Sequence, residues 1–181
     1  NSLLNVSRLE LGTFIIEPEP TDMIAVVKDV LEELKVNIFT KKMEVKTNFQ
    51  EEKMVLNADP KLLRILFQNL LSNAVKYTPE NGKISVGVAK SDEGFKVEVA
   101  DNGYGIPKQN QASIFSKLYR ADNVKAKEVE GTGLGLYIVK QIIDNSGGKV
   151  WFKSEENTGT TFYFTLPLSG MPKKDGSKSL S

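Results

Sequence analysis

Apolar residues recur along the chain with two periods, and the switches between those periods mark out its elements. Leu3, Leu4, Val6, Leu9 and Leu11 open the sequence with no helix N-cap before them and Gly12 behind. They are either the last turns of a helix begun further upstream or a frayed leader. Thr13–Glu17 reads as a short strand closed by Pro18 and Pro20, and Ile24, Val27, Leu31 and Leu34 set a helical period over Asp22–Phe39. Alternation at Met43, Val45, Thr47 and Phe49 gives a strand, and Val55–Ala58 a second short one. Asp59-Pro60 is a helix start, with a carboxylate at the N-cap and proline at N1. That helix runs to about Tyr77 and turns Leu62, Leu63, Leu66, Phe67, Leu70 and Ala74 inward.

Two hairpins follow. Lys83–Lys90 and Phe95–Ala100 alternate and are joined by Ser91-Asp92-Glu93-Gly94, while Lys149–Glu155 and Thr160–Pro167 are joined through Asn157-Thr158-Gly159. Between the hairpins, Leu134–Ser146 is a helix stopped by Gly147-Gly148. Residues 169–181, rich in Ser, Gly and Lys, read as a disordered tail. The order predicts an α+β fold: a two-layer sandwich of a mixed, mostly antiparallel sheet with helices on one face.

Composition narrows the chemistry more than the class. With 181 residues and 40% hydrophobic content the chain can bury a core as one domain with appendages. No apolar run reaches the length of a membrane span, and no signal peptide opens the chain. Zero cysteines exclude disulfides and thiol catalysis, and zero histidines remove the usual general base. Catalysis must then rest on carboxylates, lysines, arginines, amides or a bound hard cation. A net charge of +1 gives no reason to expect a nucleic-acid surface.

Two features lie outside this pattern. Beside the apolar stripe of the Pro60–Tyr77 helix runs a polar one, Asn69, Asn73 and then Lys76 or Tyr77. Asparagine is a poor helix former, so the stripe is either a pair of solvated amides or a functional wall. The second is a long irregular segment between the glycine clusters Asp101-Asn-Gly103-Tyr-Gly105-Ile106 and Gly131-Thr132-Gly133-Leu134-Gly135-Leu136, carrying Phe115, Lys117, Arg120, Lys125 and Lys127. Glycines let backbone N–H groups approach phosphate oxygens, and a helix beginning behind them adds its positive end. The segment at 104–131 reads as a mobile cover over an anionic ligand. No Walker lysine and no preceding strand accompany the second cluster, so neither a P-loop nor a Rossmann fingerprint fits.

In order and spacing these boxes resemble the catalytic, ATP-binding domain of sensor histidine kinases, of the Bergerat type shared with type II topoisomerases, Hsp90-type chaperones and MutL repair proteins. Asn69-Leu-Leu-Ser-Asn73-Ala-Val-Lys76-Tyr77 is similar to the N box, and the two clusters above to the first and second glycine boxes. Ile114-Phe115-Ser-Lys117-Leu-Tyr-Arg120 resembles the F box and Gly159-Thr-Thr161-Phe162 the third glycine box. The likeness covers roughly residues 13–168, with 1–12 as the end of an upstream dimerisation helix or a linker. It departs at Tyr104, where the kinases more often carry a smaller residue, and at Ser116-Lys117-Leu118 for the commoner Glu-Lys-Phe.

The resemblance implies ATP and Mg²⁺ as ligands. Asp101 would accept a hydrogen bond from the adenine amino group with Thr161 nearby through a water, although Asp-Asn-Gly alone would be a turn. Asn73 would ligate Mg²⁺, Asn69 would face the phosphates, and Lys76 and Tyr77 would flank the α/β-phosphates. Lys117 and Arg120 would neutralise the γ-phosphoryl group, or else be a solvated loop pair. Gly131, Gly133 and Gly135 would supply backbone donors. Catalytic roles fall on Asn69, Lys76, Lys117 and Arg120.

Three activities stay open on this basis. In the clamp ATPases of the superfamily a glutamate one turn before the magnesium asparagine activates water. Here that position is Asn69, which has no basic lone pair, and general-base assistance is worth about 10²–10⁴-fold. Transfer to an external nucleophile is favoured over hydrolysis. In the kinases the acceptor is a histidine on a dimerisation domain, and this chain has none, so the acceptor lies elsewhere. A receiver domain of a response regulator would be the next partner, with no nucleic acid and no direct membrane contact. The fragment would be cytoplasmic. A non-catalytic nucleotide-sensing scaffold is the third alternative.

Overall fold

The computed structural model describes residues 2–121 and 131–180. Helix α1 (Ser2–Glu10) is followed by strand β1 (Glu19–Asp22), helix α2 (Met23–Thr40) and strands β2 (Glu44–Phe49) and β3 (Val55–Ala58). Helix α3 (Pro60–Tyr77) leads into the hairpin of β4 (Lys83–Ser91) and β5 (Gly94–Asp101). A short α4 (Lys108–Gln111), the helix α5 (Gly135–Asn145) and the hairpin of β6 (Lys149–Glu155) and β7 (Gly159–Leu166) complete the order.

The main sheet runs β2-β4-β5-β7-β6, parallel only between β2 and β4. That parallel pair needs a crossover, and the crossover contains α3. So α3 is laid across the sheet by topology. Its Leu63, Leu66, Phe67, Leu70 and Leu71 are buried against the inward row of the strands, which includes Val86, Val99 and Phe164. The Phe67 and Phe164 rings meet at 5.8 Å. Helix α5 packs on β6, β7 and α3, and α2 packs behind α3. The two-layer α+β sandwich expected from the sequence is the one observed.

Both long helices begin on aspartate caps that also tie down distant strands. Asp22 Oδ1 accepts from the Ile24 and Met54 N–H groups. Asp59 Oδ1 accepts from Lys61 and Leu62, and its Oδ2 from Glu17. At the far end of α3 the Lys41 ammonium donates to the carbonyls of Val75 (2.7 Å), Lys76 (3.1 Å) and Thr78 (2.7 Å). These are carbonyls a helix end leaves without intrahelical partners. Burial lowers the Lys41 pKa, and the Glu80 carboxylate opposes that shift.

Two expectations are corrected. Thr13–Glu17 is not a strand of either sheet; only isolated bridges form there, Phe14 with Lys178 and Ile16 with Lys174. The strand is Glu19–Asp22, and it includes Pro20, which a two-stranded ribbon with β3 tolerates. Nor are residues 169–180 disordered. They run back along 13–16, place Lys174 Nζ 3.8 Å from the centre of the Phe14 ring, and bury Met171 and Leu180 to 2% exposure each. A Ser/Gly/Lys-rich composition hid two apolar anchors.

That finding is testable. Met171→Ala should cost about 2 kcal/mol or more in urea unfolding, as for a buried methionine. A loss within about 0.5 kcal/mol, the range of a surface change, would return the segment to a disordered tail.

Candidate functional site

The polar stripe of α3 faces a cleft of about 230 Å³, several times the roughly 30 Å³ that one water occupies. Asn69, Ser72, Asn73, Lys76 and Tyr77 form one wall. Burying the apolar stripe fixes the rotation of α3, so the stripe at i, i+4 and i+7/8 has one direction left to face. Both amides of the stripe line this cleft, and Asn69 is tied in place. Asn69 donates Nδ2 to the Ile65 carbonyl at 2.8 Å. Its Oδ1 is so close to Gly135 that a Cβ there would stand 2.5 Å from it.

The second glycine cluster forms the facing wall through Gly131, Thr132, Gly133, Gly135 and Leu136. Gly133 has φ +71°, and a Cβ on it would meet the backbone of Leu118 at 2.7 Å. Glycine is therefore required where this wall meets the end of the cover. Helix α5 starts here, and its cap residue Leu134 supplies no side-chain acceptor. The first N–H groups of a helix have no intrahelical partner and carry its positive end. Cations gather at the same end of the cleft. Lys76 Nζ lies 5.5 Å from the Tyr77 ring centre, and a Cβ on Gly131 would stand 2.9 Å from it. Arg120 lines the cleft close enough to Tyr77 to oppose the upward pKa shift that burial gives that phenol.

At the other end sits Asp101, the last residue of β5, paired across the sheet with Ile84 and Thr160. Its Oδ1 accepts the Gly103 N–H at 2.8 Å. Burial pushes its carboxyl up to about 6, against the N–H groups of Gly103 and Thr160 that favour the ionised form. A carboxylate has about four acceptor sites, so capacity remains for a ligand donor. Ile106, Ile114 and Phe162 supply the apolar lining.

Four expected residues stand elsewhere. Thr161 does not line the cleft; Thr160 does, because side chains alternate along β7 and Thr160, Phe162 and Phe164 share the inward face. Thr161 is one residue out of register with the lining face. Lys117 is likewise outside the lining, its Nζ 2.8 Å from Glu10 of α1. Gly103 sits beneath Asp101, where a Cβ would meet the Tyr77 carbonyl at 2.3 Å. Leu134 is a core residue at 1% exposure. Of the cover, residues 104–121 are described, and Lys125 and Lys127 lie outside the described residues.

Sequence reasoning missed Lys41, Ser72, Ser154 and Gln111. Lys41 reads as half of a solvated Lys-Lys pair after a helix. Ser154 and Gln111 belong to no box, and their roles rest on long-range contacts.

Residues 58–170, more than half of the chain, match the family described as "Histidine kinase-, DNA gyrase B-, and HSP90-like ATPase". Over 167 residues the chain is 37% identical to the adaptive-response sensory kinase SasA of Nostoc sp., covering 92% of this chain and 41% of that protein. It thus spans about two fifths of the length of the curated relatives it matches first. Full-length ShkA in complex with AMPPNP superposes with TM-score 0.80 at 27% identity, over 96% of this chain and 36% of that one. The nucleotide-free catalytic domain of histidine kinase ThkA gives 0.74 at 29%, over 84% and 96%. ThkA in complex with the response regulator TrrA gives 0.71 at 27%, over 84% and 42%. Matched over more than half of its length, the chain belongs to the histidine kinase-, DNA gyrase B- and HSP90-like ATPase family.

Proposed function

We propose that this chain binds Mg-ATP and presents the γ-phosphoryl group to a histidine carried outside it, for relay to a response regulator. The observation that supports this most is the convergence of Asp101, the α3 stripe and the α5 glycines on one cleft. Asp101 would accept from the adenine amino group. Guanine would turn a carbonyl toward the same carboxylate and leave it unpaired, so the purine is selected by the cost of an unsatisfied buried group. Lys76, Arg120 and the N-terminal amides of α5 would hold the phosphates.

The residues present fit a magnesium ion. Among the described residues no group of three or more His, Cys, Asp or Glu gathers. A cation here would then take hard amide oxygen from Asn73, phosphate oxygens and water, the donor mix Mg²⁺ accepts. When bound it offsets charge on the phosphates.

Asn73 and Asn69 orient, Lys76 and Arg120 neutralise, and none of them can deprotonate water. Among the described residues lining the cleft Asp101 is the only carboxylate, and it belongs to the purine end. This favours transfer over the clamp-ATPase reading. With no histidine in the sequence, the nucleophile must come from a histidine-bearing dimerisation domain. Helix α1, whose Val6 and Leu9 are buried, would be the end of that domain's second helix. Lys117 would reach the phosphates only after leaving Glu10. No helix among the described residues is long and apolar enough to cross a membrane, and the domain would work in the cytoplasm.

Three outcomes are expected. Supplied with a histidine-bearing dimerisation domain and Mg-ATP, the chain should pass radiolabelled γ-phosphate to it; binding without transfer to any such partner would favour the scaffold reading. Asn73→Ala should weaken binding of a Mg-ATP analogue by about tenfold or more, the scale of a lost charge-assisted contact, and leave affinity in chelator nearly unchanged. Equal loss in both would contradict a metal role. The third concerns pH. Because the folded Asp101 carboxyl titrates near 6, above its ordinary value, folding disfavours its ionised form, a penalty absent at low pH and complete above about 6. An amino donor bonds the ionised form more strongly, because protonation leaves a neutral acceptor and adds a competing O–H donor. Affinity should therefore be flat above about pH 6 and fall below it, by up to about tenfold per unit. The fall must exceed that of Asp101→Asn, which controls for titration of the phosphates; matching profiles would remove Asp101 from adenine recognition.

A further inference from the structure

The first glycine cluster does not hang free at the edge of the cleft. It lies along the β6–β7 hairpin, and the contacts there run residue by residue. The Tyr104 carbonyl accepts the Asn157 N–H at 2.7 Å. A Cβ on Gly105 would stand 1.9 Å from the Glu155 carbonyl, so the backbones touch. Ile106 then gives its N–H to Ser154 Oγ at 2.8 Å. Its carbonyl accepts from Gln111 Nε2 at 2.9 Å, and the same amide nitrogen donates to the Ser154 carbonyl at 3.1 Å. Both polar groups of the Ile106 peptide are thus held by side chains, one from β6 and one from α4, and those two side chains meet at Ser154.

Ser154 also reaches a residue of the cleft's lining. Its Oγ is 3.0 Å from the Gly159 carbonyl and 2.8 Å from Thr160 Oγ1, and Thr160 lines the cleft beside Asp101. The proton inventory is what makes this informative. Ser154 has one hydroxyl proton and two acceptors in reach. If it goes to Gly159, the Thr160 hydroxyl must donate to Ser154. If it goes to Thr160, the Thr160 O–H is left to donate to a group in the cleft. In either state Ser154 still accepts from Ile106, and chained hydrogen bonds strengthen one another.

We propose that Ser154 and Gln111 are positioning residues that tie the root of the cover to the purine end of the cleft, so that a purine at Asp101 and Thr160 stiffens the chain at Ile106. This rests on the adenine reading above and goes beyond it. The ligand's base sets the cover's hinge through Thr160, Ser154 and Ile106, before any phosphate is engaged.

The test uses adenosine, which fills the purine end alone, and hydrogen exchange across residues 106–111. In the unaltered chain saturating adenosine slows exchange there. In Ser154→Ala and in Gln111→Glu, which loses the donor without changing shape, the chain stays folded, adenosine no longer slows exchange there, and a Mg-ATP analogue binds about 5-fold more weakly, the scale of one lost hydrogen bond. Ser154→Thr, which keeps the hydroxyl, restores the protection. If Ser154→Ala fails to fold, Gln111→Glu decides alone. A purely structural role would lower the melting temperature and leave adenosine-induced protection intact, and that result overturns the inference. So does adenosine that binds the unaltered chain without slowing exchange at 106–111. An unaltered chain that binds neither adenosine nor the analogue overturns the nucleotide reading itself, and this inference with it.

Discussion

The apolar stripe of α3, buried against the sheet, determines what its polar stripe can reach. Leu63, Leu66, Phe67 and Leu70 leave the helix no freedom to roll, because each would lose its place against the strands. A buried leucine or phenylalanine is worth about 1.5–3 kcal/mol, so rotation by one position would forfeit several of these at once. Asn69, Asn73, Lys76 and Tyr77 are held in one line by that loss. Asp59 fixes where the helix begins, and Lys41 closes its last carbonyls beside Lys76 and Tyr77. The core is therefore part of the site.

The electrostatics divide the cleft. One end has a carboxylate raised by desolvation, and the other has Lys76, Arg120 and the positive end of α5. A neutral base with an amino donor suits the first, and a polyanion suits the second. Reversing the ligand would set phosphate against Asp101. What the cleft lacks among its described residues is a second carboxylate placed to activate water. The lining can hold and align a polyanion and offset its charge.

Much of this was legible before the fold was known, and the misses have physical reasons. The α3 stripe could be found because asparagine on a helix is costly and its spacing shows which face it takes. The hairpins followed from alternation and turn residues. Thr161 points away from the cleft that Thr160 lines because a strand reverses its faces at every residue, so a motif read one position out misses that lining. Lys117 differs: position in a box locates the backbone, whereas the ammonium takes whichever carboxylate is near, here Glu10. Pro20 read as a break because proline ends central strands, and a two-stranded ribbon does not impose that rule. Ser154, Gln111 and Lys41 are common polar residues that each reach a partner 34 to 48 positions away. No local pattern contains that information.

The central claim is that one cleft orients a nucleotide with its base at Asp101 and its phosphates between the α3 stripe and the start of α5. Crystals grown with a non-hydrolysable ATP analogue and Mg²⁺ test it directly. The adenine amino nitrogen is expected within hydrogen-bonding distance of Asp101 and the metal against Asn73. A cleft filled by its own side chains, or a nucleotide bound with its phosphates toward Asp101, would contradict it.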